Sequence, residues 1–272
     1  MQIAPAHLQR LITGLILAAI LVTGLYMGGW VLLGLLAIVS TIALIEFYAM
    51  FWPQTERWGL KILGVACGLA VLGSSYFHAP YLTLACIMGS TLLFNLQFLF
   101  HWGFASDAAT PKAQFANTQI LMSGMLYIPV MLAPVLNFSL AEQVLVIAAC
   151  IASDTGGYYA GSLWGKRRIW PRVSPKKSWI GSLGGLTACM VICMIIGATW
   201  GIRPWWQFAI LGIFLNAASQ LGDFFESALK RTLNVKDSGK ILPGHGGILD
   251  RIDSLLFVVP VYAALNGICT FF

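Results

Sequence analysis

The chain has 272 residues, 58% of them hydrophobic and only 10% charged, with a net charge of +6 and a mean hydropathy of +0.81. A soluble domain carries about 25% charged residues, so the composition excludes a water-soluble enzyme, a secreted module, a coiled coil and a disordered chain. What is left is an all-α polytopic integral membrane protein, for which the positive charge concerns orientation and anionic partners more than nucleic acid.

In chain order, apolar segments fall at about 11–28, 31–51, 59–77, 81–100, 116–136, 141–163, 183–200, 206–228 and 253–271. Each has about the 20 residues that a bilayer-crossing helix needs, which predicts about nine transmembrane helices. The first follows Arg10 and imitates a signal peptide, but it runs into a second span without a small-residue cleavage site and is read as a retained helix. Trp52-Pro53, His78-Ala79-Pro80, Thr110-Pro111, Arg203-Pro204 and the run from Pro243 to Gly247 mark helix ends. Tryptophans gather near the same ends, as interfacial aromatics do. Residues 1–140 are expected to form an amino-terminal group of about five spans, and 141–272 a catalytic group of about four. The six cysteines all lie in apolar stretches without metal-ligand spacing and read as packing residues.

The basic residues are sharply sorted. With the amino terminus and every loop after an even-numbered span on one side, that side receives Arg10, Arg57, Lys61 and Lys112. It also receives six Lys and Arg of the 166–177 loop and five of 230–251, leaving Arg203 alone opposite. The basic side is therefore expected to face the cytoplasm. One or two charges per loop suffice for topology, so two dense clusters point to an anionic, polyphosphate substrate.

Acidic residues lie where lipid is expected. Glu46, Asp154, Asp223 and Glu226 fall within or at the ends of apolar segments, and Asp250 and Asp253 open the last one. An ionised carboxylate at the bilayer centre costs at least ~2.5 kcal/mol, so these groups face the protein interior, pair with cations or hold metal. Asp223 with Glu226, and Asp250 with Asp253, are spaced three apart and share a helix face. Carboxylate pairs beside basic loops suit Mg²⁺-assisted phosphoryl or nucleotidyl transfer. Intramembrane salt bridges account for the spacing equally well, and an ion-coupled transporter is a third reading.

The segment from Ser227 to Asp253 is more specific. Ser227, Lys230, Arg231, Lys236, Asp237, Pro243, Gly244, His245, Gly246, Gly247, Asp250, Arg251 and Asp253 stand at the fixed positions of a pattern S-x2-K-R-x4-K-D-x5-P-G-H-G-G-x2-D-R-x-D. This resembles the signature of the phosphatidate cytidylyltransferase (CDP-diacylglycerol synthase) family. Gly222-Asp223 through Glu226-Ser227 is similar to its lead-in. Ser153-Asp154 through Tyr159, Gly165-Lys166 and Ser174-Pro175-Lys176-Lys177-Ser178-Trp179 are similar to a second conserved block. The likeness covers about residues 150–255. One position departs: the family's Glu after that Trp is Ile180 here, which keeps open a paralogue with another phospholipid acceptor or nucleotide. A non-enzymatic lipid transporter is the more distant alternative.

The resemblance implies transfer of CMP from CTP to phosphatidic acid, giving CDP-diacylglycerol and pyrophosphate, with Mg²⁺ and room for a second cation. It implies Asp223, Asp250 and Asp253, supported by Glu226, as metal ligands, and Lys230 and Arg231 beside them in catalysis. Ser174, Lys176, Lys177, Ser227, Lys236, His245, Gly246, Gly247, Arg251 and Asp154 are the expected substrate-binding residues. The expected setting is a multi-pass protein of the inner (cytoplasmic) membrane with catalytic loops in the cytoplasm and no nucleic-acid partner; a homodimer stays open. From the residues alone, the Gly-rich run around His245 can turn tightly and offer N–H groups to phosphate. Gly157, Gly161 and Gly165 form a small-residue face for close helix contact.

Overall fold

The computed structural model describes residues 5–52, 56–104, 111–242 and 246–272, and their side chains except at 5–11, 104 and 111–114. Among these residues there is no strand, only isolated bridges between Arg168 and Ser178 and between Leu242 and Gly246. The helices are α1 Pro5–Met27, α2 Gly29–Phe51, α3 Trp58–Tyr76, α4 Pro80–Phe104, α5 Pro111–Met125, α6 Leu140–Trp164, α7 Trp179–Trp200, α8 Trp205–Thr232 and α9 Leu249–Ile268. Eight described stretches are long and apolar enough to cross a membrane, and Ile12–Met27 adds a shorter apolar helix. Each expected apolar segment has its helix.

Where the helices differ from the expected bounds, the cause is local chemistry. α7 starts at Trp179 rather than 183 because Ser178 caps it, its Oγ accepting the Gly181 N–H at 3.1 Å. α8 runs past 228 to Thr232, with Lys230 and Arg231 in its last turn, where cations complement the helix dipole. α5 gives way to a π-helical turn at Leu126–Val130 and a 3-10 turn at Ala133–Asn137. Pro129 lies inside that turn and cannot donate to a regular α ladder.

The chain divides into two compact units. One comprises Met1–Asn137 with Ser238–Leu249, the other Phe138–Asp237 with Asp250–Phe272. In the first, α2, α3 and α5 meet around buried Tyr48, whose hydroxyl donates to the Leu121 carbonyl at 3.2 Å. Gly64 and Gly124 lie against its ring, where a side chain would collide with it. Trp52 Nε1 donates to Asn117 Oδ1 at 3.1 Å, tying the end of α2 to α5.

In the second unit, α6 opens with a capping box between Ser139 and Glu142. Glu142 Oε1 also accepts from Tyr262 at 3.0 Å and Asn266 at 2.7 Å, so the first turn of α6 is held to α9. α6 and α7 pack backbone to backbone: a Cβ at Gly156 would strike the Gly184 carbonyl, and one at Gly181 would strike the Gly157 carbonyl. The expected small-residue face of α6 is therefore a packing face, as glycine-lined contacts between apolar helices are. Phe208, Leu211, Leu215, Val258, Val259 and Tyr262 are buried on α8 and α9.

Candidate active site

The polar residues of the second unit come from one stripe on α8 and from the neighbouring ends of α6, the α6–α7 loop and α9. Along α8 the sequence places Asn216, Gln220, Asp223, Ser227 and Lys230 at intervals of four, three, four and three, which is one face of a helix. Asn216 Oδ1 accepts from Ser153 of α6 at 2.9 Å and from Gln220 at 3.0 Å. Gln220 Oε1 in turn accepts from Ser182 of α7 at 2.5 Å. Neither Asn216 nor Gln220 is among the expected site residues, and the spacing of polar residues in an apolar helix is the signal that marks them.

Above that network, Lys177 of the α6–α7 loop pairs with Asp223 Oδ2 at 2.5 Å, and its Nζ lies 4.5 Å from the centre of the Phe224 ring. Ser227 Oγ donates to the other Asp223 oxygen at 3.2 Å. Asp154 is exposed on α6 and feels the charges of Asp223, Lys177 and Arg251. Asp253 feels Asp223, Asp154 and Lys230. Asp154, Asp223 and Asp253, from three helices, thus form one mutually repelling carboxylate group. Gly222 makes the meeting of α8 and α9 possible: a Cβ there would lie 2.5 Å from the Asp253 carbonyl oxygen.

The other two carboxylates of the expected metal set, Glu226 and Asp250, gather at Lys230, and Glu226 also feels Asp253. Lys230 Nζ lies 2.6 Å from Glu226 Oε2 and 2.5 Å from Asp250 Oδ1. Glu226 and Asp250 thus take part in intramolecular salt bridges, the alternative that their spacing allows. The two pairs that share a helix face in sequence thus meet across helices in one charged centre: Glu226 and Asp250 at Lys230, Asp223 at Lys177, and Asp253 feeling both Asp223 and Lys230. Glu226 Oε1 is buried without a hydrogen-bond partner.

Asp154, Asp223, Lys176 and Lys177 line a polar cavity of about 460 Å³ between α6, α7, α8 and the loop. Beside it is an apolar cavity of about 640 Å³ walled by Trp170, Leu221, Phe224, Phe225 and Phe257, with Arg172 on its lining. The two share the 169–177 loop and adjacent residues of α8, and Trp170 meets Phe224 edge-on with ring centres 4.7 Å apart.

Ser174 is half-buried in the loop, and the Lys176 carbonyl accepts from Arg168 at 2.5 Å. Arg231 and Lys236 are exposed at and beyond the end of α8, and no described ion pair joins them to the carboxylates. Arg251 is exposed in the first turn of α9. Gly246, with φ of 81°, and buried Gly247 belong to the first unit. His245 lies outside the described residues. Ile180 is 39% exposed and, unlike Ser178, Gly181 and Ser182, does not line the polar cavity.

Among the described residues no three His, Cys, Asp or Glu side chains converge closely enough to enclose a metal ion. The donor set nevertheless fits a hard divalent cation of the Mg²⁺ kind, which takes one or two carboxylates and completes its shell with water and phosphate oxygens. Asp223 and Asp253 supply such carboxylates, and the orphaned Glu226 Oε1 is a further unused acceptor.

The fold and this charged centre define a polytopic helical membrane protein with a polar site built on its last four helices. The model of the cytidylyltransferase family matches residues 8–269, and the chain belongs to that family. It is 45% identical over 119 residues to the phosphatidate cytidylyltransferase of Bacillus subtilis strain 168, covering 42% of this chain and 44% of that protein. With the phosphatidate cytidylyltransferase of Haemophilus influenzae Rd it shares 45% identity over 117 residues, 41% of each chain. A longer match, 29% identical over 244 residues, covers 89% of this chain and 81% of uncharacterized protein YnbB of Escherichia coli K12. The matches to the phosphatidate cytidylyltransferases thus span less than half the length of those proteins.

Proposed function

We propose that this chain is a phosphatidate cytidylyltransferase, transferring CMP from CTP to phosphatidic acid. A phosphate oxygen of the lipid attacks the α-phosphorus of CTP, a new P–O–P bond forms, the α–β bond breaks and pyrophosphate leaves. The attacking oxygen is already anionic, so no strong general base is required, and catalysis comes from alignment and charge neutralisation. The observation that carries this reading is the polar cavity around Asp223 and Lys177 adjoining an apolar cavity across Phe224. That pairing suits a substrate with a phosphate headgroup and acyl chains. Lys176, Lys177 and Arg251 would neutralise phosphate oxygens, with Arg231 and Lys236 attracting the nucleotide from water. Asp223, Asp253 and, after release from Lys230, Asp250 would hold Mg²⁺, with Glu226 in support. When bound, that ion would neutralise charge at the reacting phosphates. The basic loops favour a site open to the cytoplasm, in the inner membrane.

The test is CDP-diacylglycerol formation by the purified protein in detergent with CTP, phosphatidic acid and Mg²⁺, beside Asp253→Ala. Product from the wild type, absent with the variant and abolished by chelation, is the expected result. A well-folded wild type that makes no product would sink it. Ile180, standing where the resembled family block carries Glu, keeps open a second reading, a family member with another phospholipid acceptor. A panel of lipid phosphates given to the same preparation separates the two.

A further inference from the structure

One buried acid, Glu46, takes no part in the proposed reaction. Glu46 of α2 is 4% exposed, and a carboxylate so buried persists only where donors meet it. Its donors come from about two hundred residues further along the chain. Glu46 Oε1 accepts the Ile248 N–H at 3.1 Å, Oε2 accepts the Leu249 N–H at 2.9 Å, and Ser238 Oγ lies 3.4 Å from Oε2. Leu249 begins α9, so these are N–H groups of a helix start that has no carbonyl partner within the helix. The neighbouring glycines make room for the acid: a Cβ at Gly239 or Gly247 would run into the Glu46 carboxylate. All of these residues belong to the first compact unit.

We propose that Glu46 is a positioning residue that holds Ser238 and Gly239 beside Gly247, Ile248 and Leu249 and so fixes the start of α9, from which Asp250 and Asp253 follow in the chain. This rests on the cytidylyltransferase reading for its catalytic consequence, but not for the contact itself. The negative charge that a helix N-terminus attracts is supplied here by the protein's own carboxylate. Gly239 and Gly247 serve that carboxylate, and the substrate phosphates fall to the Lys and Arg side chains.

The experiment compares wild type, Glu46→Ala and Glu46→Gln, purified as full chains in detergent. Lys240 is exposed and follows Gly239, which lies against the Glu46 carboxylate, so trypsin cleavage after it reports whether that contact is made. Glu46→Ala is expected to be cut there much faster than wild type at unchanged helical content, with Glu46→Gln in between. The Mg²⁺ concentration giving half-maximal CDP-diacylglycerol formation is expected to rise about 10–100-fold, the usual loss when support for a metal ligand is removed. A mere loss of folded protein would lower the rate without moving that concentration. If Glu46→Ala does not fold, Gly247→Ala, which displaces the carboxylate but keeps its charge, carries the same two expectations. Wild-type protection at Lys240 with an unmoved Mg²⁺ requirement overturns the proposal. Faster cleavage in a set of proteins that all lack activity toward CTP and phosphatidic acid supports the contact and overturns the reaction instead.

Discussion

Lys230 of α8 and Asp250 of α9 are ion-paired at 2.5 Å across twenty residues of sequence, and the same ammonium holds Glu226 at 2.6 Å. One cation thus neutralises two carboxylates, one of them on its own helix and 1% exposed. Asp223, three residues from Glu226, pairs instead with Lys177, while Asp253, three from Asp250, feels Asp223, Asp154 and Lys230.

Removing Lys230 would strand two carboxylates in a poorly solvated place. Lys230→Met is expected to lower stability by about 3–5 kcal/mol, the cost of breaking a buried pair from one side. Unfolding in detergent measures it. Adding Asp250→Asn and Glu226→Gln should recover most of the loss, because the stranded charges go with the cation.

Asp223 is the opposite case. Its pair with Lys177 is partly exposed, with side chains 29% and 26% accessible, so solvent screens it. Asp223→Asn is expected to change stability by less than about 1 kcal/mol, yet to reduce CDP-diacylglycerol formation by on the order of 100-fold, as loss of one preorganised charge does. Melting curves and initial rates on the same preparation separate the two effects.

Gly222 permits the approach of α8 to α9. Gly222→Val would drive a side chain into the backbone at Asp253 and Ser254, and overpacking of this kind costs about 1–3 kcal/mol. Activity should fall further than the melting temperature suggests, because the displaced turn carries Asp253. Equal activity per folded molecule would contradict the arrangement.

Ile180 is exposed and outside the lining of the polar cavity. Ile180→Glu is therefore expected to leave stability within about 0.5 kcal/mol and acceptor preference unchanged. A switch in the preferred lipid phosphate on making this variant would favour the second reading of the function.

Much of this protein is written in one dimension. Apolar runs of bilayer length must become helices, because lipid offers the backbone no hydrogen-bond partners, and prolines and caps such as Ser178 set where they begin and end. The motif around Lys230 and Asp250 was legible too, because its residues are closely spaced along the chain. Tertiary structure decided how those residues were grouped. Spacing of three placed Asp223 with Glu226 and Asp250 with Asp253, but charge pairing acts through space: Asp223 pairs with Lys177, while Glu226 and Asp250 share Lys230. Glu46 shows the same limit most plainly: nothing near it in sequence names its partners, because the N–H groups it holds are those of a helix that begins about two hundred residues later.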